Sequence, residues 1–120
     1  MIKSVLPQIV NQQQQDNSIT WRLFVDGGLD FFKGHFPEQA VLPGVTQLDW
    51  AVQLGCKAFG YQSKVASLEV LKFQQLLLPD SHVDLTISHN KDKAKLTFQY
   101  SEGDKCYSSG RIVIATETEV

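Results

Sequence analysis

With 120 residues and a net charge of −2, the chain is sized for one domain with a real core and little room for a second lobe. Its 42% hydrophobic and 20% charged residues are ordinary for a soluble globular protein, and that balance gives no reason to expect nucleic acid, which usually demands a basic domain. Cys56 and Cys106 lack a Cys-x-x-Cys spacing, so two reduced, buried thiols in a cytoplasmic protein are expected.

The amino terminus offers only Val5 to Val10 as an apolar run, and Pro7 and Gln8 interrupt it. That is too short and too mixed for a signal peptide, and no stretch is long enough for a membrane span. Residues 1–18, which include the polar run Gln12 to Gln15, read as an exposed edge strand turning at Asp16-Asn17, with disorder as the alternative. Ile19, Trp21, Leu23 and Val25 then alternate with Thr20 and Arg22, the period of a half-buried strand, which Asp26-Gly27-Gly28 ends. Leu29 to Lys33 is expected to form a helical turn before Gly34.

From Gly44 to about Gly60 the pattern predicts one helix of about 25 Å, with Pro43 at its mouth and Gly60 at its end as punctuation. Val45, Leu48, Val52, Cys56 and Phe59 form one stripe, while Trp50, Ala51, Leu54 and Ala58 cover much of the other side. A helix apolar nearly all round is a buried helix. In so small a chain its cover must be a sheet curled around it or a second subunit.

Strands follow. Val65 to Leu78 is a long β-favouring segment closed by Pro79-Asp80. Val83, Leu85 and Ile87 alternate with polar residues, Asn90-Lys91-Asp92 turns the chain, and Ala94, Leu96, Phe98 and Tyr100 alternate again. Glu102-Gly103-Asp104 leads into a last strand from about Cys106 to Thr116. Short turns between consecutive strands predict an antiparallel meander. The fold class is α+β, one domain over 1–120 with its sheet wrapped on one long helix.

Residues 31–53 carry the chemistry. Asp49 falls between Val45 and Val52 at helical spacing, where a carboxylate must be solvated in a cavity, hydrogen-bonded or protonated. It is too far into the helix to cap it, and positions 45, 46, 52 and 53 hold no Lys or Arg to pair with it. His35, between Gly34 and Phe36-Pro37, is either a structural loop histidine or a base, since an imidazole with a pKa of about 6.5 can accept a proton near neutrality. Gly44 is either a plain turn residue or a place where a ligand comes close to free helix N–H groups that polarise an oxyanion.

Gly34-His35-Phe36-Pro37, then Pro43-Gly44-Val45, then an acid at 49 and Gln53, resembles the active-site signature of hot-dog-fold 3-hydroxyacyl-acyl carrier protein dehydratases. The glycine stands nine residues after the histidine and the acid fourteen after it, as in that family. Phe31-Phe32 and Lys72-Phe73…Leu78-Pro79-Asp80 also match, and the resemblance in strand order covers nearly the whole chain. The resemblance implies His35 as general base, Asp49 as acid, the Gly44 N–H as carbonyl donor beside Val45, and Gln53 as support for the acid's helix. Asp rather than Glu at 49 is similar to the branch that also isomerises the double bond, whereas Val45 and the short length are similar to the elongation branch. The loop Glu38-Gln39-Ala40 departs from the family's small Gly-x-Pro. The run Val41 to Ala51 is most similar to accessory dehydratases of aryl-polyene-type gene clusters.

The chemistry this implies is elimination. Gly44 N–H polarises a thioester carbonyl, His35 removes the C2 proton, and Asp49, protonated in its apolar setting, protonates the departing 3-hydroxyl. The products are a trans-2-enoyl thioester and water, with no metal or organic cofactor. His82 and His89, seven apart on one strand, are too separated for a shared metal and read as surface residues. The expected partners are an acyl carrier protein, docked on Lys33, Lys57, Lys64 and Lys72, and a second copy of the chain. Two rivals share the fold: an acyl-thioesterase that attacks the same thioester with water, and a non-catalytic acyl-binding protein.

Overall fold

The period-two segments of the sequence assemble into a six-stranded antiparallel sheet. The computed structural model describes residues 6–26, 42–62 and 64–115. The strands are β1 (Gln8–Gln15), β2 (Ser18–Val25), β3 (Val65–Phe73), β4 (Ser81–Asn90), β5 (Lys95–Glu102) and β6 (Lys105–Ile114), with helix α1 (Gly44–Phe59) between β2 and β3. The expected helical turn at 29–33 lies outside the described residues.

Strand order is β1-β2-β4-β5-β6-β3, which corrects the expected meander. β1 and β2 pair as sequence neighbours, and so do β4, β5 and β6, but β3 does not join β4. β3 crosses to the far edge and pairs with β6, Glu69 opposite Arg111 and Phe73 opposite Ser108. Nor does the segment from Val65 stay extended to Leu78. Its ladder stops at Phe73, where the N–H groups of Gln74 and Gln75 both turn to the Tyr107 carbonyl, at 2.8 and 3.2 Å. The last strand ends at Ile114, short of the expected Thr116. Ala94, expected inside a strand, instead closes the turn before β5 at φ 50°.

Alternation does decide which face is inside. Trp21 and Leu23 stand opposite Leu85 and Val83 across β2 and β4, and Leu85 and Ile87 stand opposite Tyr100 and Phe98 across β4 and β5. All of these are buried. α1 lies on this face through Trp50, Ala51, Leu54 and Cys56. Gly55 permits the close approach: a Cβ there would stand 2.9 Å from Leu96 Cδ1 and 3.1 Å from Ile87 Cδ1. An antiparallel sheet curled around one long helix is the hot-dog arrangement expected from the sequence. The helix ends at Gly60, φ 80°, with Tyr61 N–H bonded to the Cys56 carbonyl at 2.8 Å.

The helix is not buried on every side by its own sheet. Trp50, Ala51 and Leu54 are enclosed, but Leu48, Val52 and Phe59 are half-buried, Ala58 is exposed and Val45 is 73% exposed. One sheet covers one side of a helix, and the remaining apolar arc faces away from it. β3 also carries the exposed apolar residues Val65, Leu68, Val70, Leu71 and Phe73, and the Phe73 ring reaches the start of α1 at Gly44.

Two expectations about single residues also change. Cys106 is half-buried rather than buried, and the two cysteines are not joined in a disulfide. His89 is not a surface residue. Its ring stacks on Phe59 at 4.7 Å between centroids and its Nε2 lies 2.7 Å from the Tyr61 hydroxyl, so it clamps the end of α1 to β4. His82 is exposed and packs on Phe24 at 5.0 Å.

Candidate active site

The site is built on the first turns of α1. Pro43 occupies the N-cap with extended backbone, φ −61° and ψ 148°, and no side chain among the described residues caps the helix. Its carbonyl accepts from the N–H groups of Thr46 and Gln47, each at 3.1 Å. The N–H groups of Gly44 and Val45 come before these, at positions no helical carbonyl reaches. Together with the helix dipole they make a donor site for negative charge. First-turn acids, which would compete for those donors, are absent from α1.

Gly44 is needed for close approach, although the neighbour is protein. A Cβ there would stand 2.9 Å from Cε1 and 3.1 Å from Cζ of Phe73 on β3. The Phe73 ring therefore rests on the glycine while itself 50% exposed, an apolar wall beside the donor site.

Asp49 follows Gly44 by five residues, about 7.5 Å along the helix axis. It is half-buried, and of the three possibilities for its carboxyl group the structure shows hydrogen bonding: Gln53 Nε2 donates to Asp49 Oδ2 at 3.0 Å. This one-turn pair holds the acid's rotamer and leaves Oδ1 unengaged by Gln53. Asp49 shares its side of the helix with exposed Val45 and half-buried Val52, the arc its own sheet leaves open.

Gly44, Val45, Asp49 and Gln53 are thus brought together on one helix. His35 lies outside the described residues, as do Lys33 and the loop at 38–40. Lys57, Lys64 and Lys72 are all exposed, at the end of α1, before β3 and on β3. Among the described residues no cluster of three or more His, Cys, Asp or Glu could hold a metal ion. None of the helices there is long and apolar enough to cross a membrane.

Sequence reasoning missed a buried polar group under this helix. Gln47 is 3% exposed, and it bonds Leu42, Ser108 and Tyr100. Burial pushes the Tyr100 phenol well above its usual range, and the nearby Asp49 adds to that effect, so the hydroxyl stays protonated and donates. The signal was present in the spacing, because Gln47 precedes Trp50 and Ala51 by three and four residues and shares their face.

A separate cavity of about 390 Å³ opens on the outer face of the sheet, lined by Asn11, Gln13, Thr20, Arg22 and Asp84. Its cation is already engaged. Arg22 donates to Asp84 at 3.2 Å and grips both carboxylate oxygens of Glu102, which holds the guanidinium well above its ordinary pKa.

Comparison with known proteins agrees with this geometry. The model of the ApeI-like family, described as ApeI dehydratase, matches residues 11–111. The 3-hydroxyacyl-acyl-carrier-protein dehydratase FabZ of Clostridium novyi (strain NT) is 36% identical over 70 residues, 52% of this chain and 49% of that protein. The chain thus spans about half the length of that relative. FabZ of Macrococcus caseolyticus (strain JCSC5402) is 29% identical over 101 residues, 76% of this chain and 70% of that one. Among solved structures, a chain of the dehydratase heterocomplex ApeI:P from Xenorhabdus doucetiae superposes with a TM-score of 0.82 at 32% identity, covering 93% of this chain and 100% of that one. An uncharacterized protein from Erwinia carotovora subsp. atroseptica gives a TM-score of 0.79 at 35% identity, covering 96% and 100%. The chain belongs to the ApeI-like dehydratase family.

Proposed function

We propose that the protein dehydrates 3-hydroxyacyl thioesters carried on acyl carrier protein, giving trans-2-enoyl thioesters and water. The observation that carries this reading is the N-terminus of α1 at Gly44, which no side chain among the described residues caps, five residues before an acid that Gln53 holds in place. The Gly44 N–H receives the thioester oxygen, so charge leaving C2 is stabilised as it develops. His35 takes the C2 proton and Asp49 gives a proton to the departing hydroxyl, so two groups move two protons and one water leaves.

Asp49 and exposed Val45 lie on the arc of α1 that its own sheet leaves open, and the β3 edge is apolar and exposed, which together favour a dimer in which a second copy covers both. His35 of one copy then meets Asp49 of the other. The carrier docks on Lys57, Lys64 and Lys72 around this opening, with Lys33 as a fourth cation.

The test is to incubate the purified chain with 3-hydroxyacyl carrier-protein thioesters of several lengths and follow mass. Loss of one water with the thioester intact supports the reading. Release of free thiol instead makes the protein a thioesterase, and tight acyl binding without turnover makes it a binding protein. Turnover of carrier-bound substrate is expected to fall with added salt while turnover of a short thioester analogue does not. Equal salt responses would remove the electrostatic docking site. A chain that stays monomeric, and is active only with a second protein, would replace the homodimer by a heterocomplex of the kind solved for the Xenorhabdus relative.

A further inference from the structure

A buried glutamine needs partners for its carbonyl and its amide, and Gln47 finds them in three elements. Its Nε2 donates to the Leu42 carbonyl at 3.1 Å, and its Oε1 accepts from Ser108 Oγ at 2.7 Å. Its main-chain carbonyl accepts from the Tyr100 hydroxyl at 2.7 Å. Tyr100 and Ser108 are cross-strand partners on β5 and β6 and both are fully buried, so one pair of strands grips one helical residue by side chain and by main chain. Leu42 is clamped at its other peptide group as well, its N–H donating to the Leu77 carbonyl at 2.7 Å. Phe73, paired with the same Ser108, lays its ring on Gly44. The approach to Pro43, the first helical turn and the sheet are therefore locked together, and α1 cannot slide or turn without breaking several bonds at once.

We infer that Gln47 is a positioning residue of the dehydration site, fixing with Tyr100 and Ser108 where the Gly44 N–H and the Asp49 carboxylate stand. This rests on the function proposed above. Gln47 acts through these two groups and through the helix that bears them.

The test separates placement from simple stability. Gln47→Met with Ser108→Ala replaces both polar partners by apolar atoms, so no buried hydroxyl is stranded, while Leu42 loses its donor. At a melting midpoint close to the native one, kcat for enoyl formation is expected to fall roughly ten- to a hundred-fold with KM changed less than about two-fold, because the Gly44 donor acts on charge that develops only in the transition state. A kcat within about two-fold of the native value in that folded variant would overturn the inference. Should the double variant not fold, Ser108→Ala alone is expected to give the same split at smaller size, and an unchanged kcat there overturns it equally. If the native protein dehydrates nothing, the functional reading fails by itself. Hydrogen exchange at the Thr46 and Gln47 amides, which bond the Pro43 carbonyl, followed by NMR, still decides the placement: faster exchange in the variant supports it and equal exchange overturns it.

Discussion

The two edges of the sheet are built from opposite material. β1, at one end, has six polar residues among its eight and is exposed along its whole length. β3, at the other, is as exposed but carries Val65, Ala66, Leu68, Val70, Leu71 and Phe73 among its nine residues. A bare strand edge is a template for another chain, and polar side chains are one way to keep it in water. β1 uses that protection. β3 offers only Ser67, Glu69 and Lys72 toward it, and Glu69 is engaged by Arg111 at 3.1 Å and Lys95 at 3.4 Å. The contrast teaches that one edge carries polar protection within the chain and the other is left apolar and exposed. Phe73 of the apolar edge rests on Gly44 at the start of α1.

The largest effects should come from the β3 side. Leu68→Lys with Leu71→Lys is expected to give folded monomers that lose activity as completely as His35→Ala does, roughly 10²–10⁴-fold. Ile9→Lys on β1 should leave mass and activity within about two-fold of native, as sedimentation and turnover would show. Equal sensitivity of both edges would break the comparison.

A middle-sized effect belongs to the half with the polar edge and should be independent of protein concentration. Burial, with Lys91 nearby, holds the His89 pKa below its ordinary value of about 6.5. The unfolded chain therefore binds this proton first as pH falls. The stabilisation is complete above about pH 6.5 and is lost as pH drops through the lowered folded value. Denaturation between pH 7 and 5 should show this loss in the native protein and not in His89→Gln. Parallel profiles would contradict the clamp on Phe59 and Tyr61.

The smallest effect is expected on the outer face. Arg22 holds Glu102 and Asp84 at sites that are substantially exposed, where water screens ion pairs. Glu102→Gln should lower the melting midpoint by a few degrees at most, and high salt should shrink the difference. A larger loss would make this network structural.

Much of the fold was legible because burial writes itself into side-chain period. Ile19 to Val25, Val83 to Ile87 and Leu96 to Tyr100 alternate, and all three became inward-facing strands. Pro43 and Gly60 marked the helix ends for reasons of backbone geometry. The place of β3 was not legible. Its run Val-Ala-Ser-Leu-Glu-Val-Leu-Lys-Phe has no alternation, because neither face is buried within one chain, and its partner β6 lies some forty residues on. The apolar circumference of α1 calls for cover beyond one flat sheet, and the structure shows which part the chain's own sheet leaves open, Val45 and Ala58 among it. His89 was misread for want of its parity: it continues Val83, Leu85 and Ile87 and points inward. Helical spacing put Gly44, Val45, Asp49 and Gln53 on one helix, where the structure has them, while Gln47 escaped notice because a polar residue on a helix reads as solvated until its face is known.

The central claim is that the open side of α1 is completed by a second copy, and subunit mixing tests it most directly. His35→Ala and Asp49→Asn are prepared separately, shown to be inactive, and mixed under conditions that exchange subunits. In a shared site each mixed dimer holds one doubly defective site and one intact site, so activity should return from two inactive parents. With exchange confirmed by mass, a mixture that stays inactive would contradict the account, because sites contained within single chains would each keep one defect.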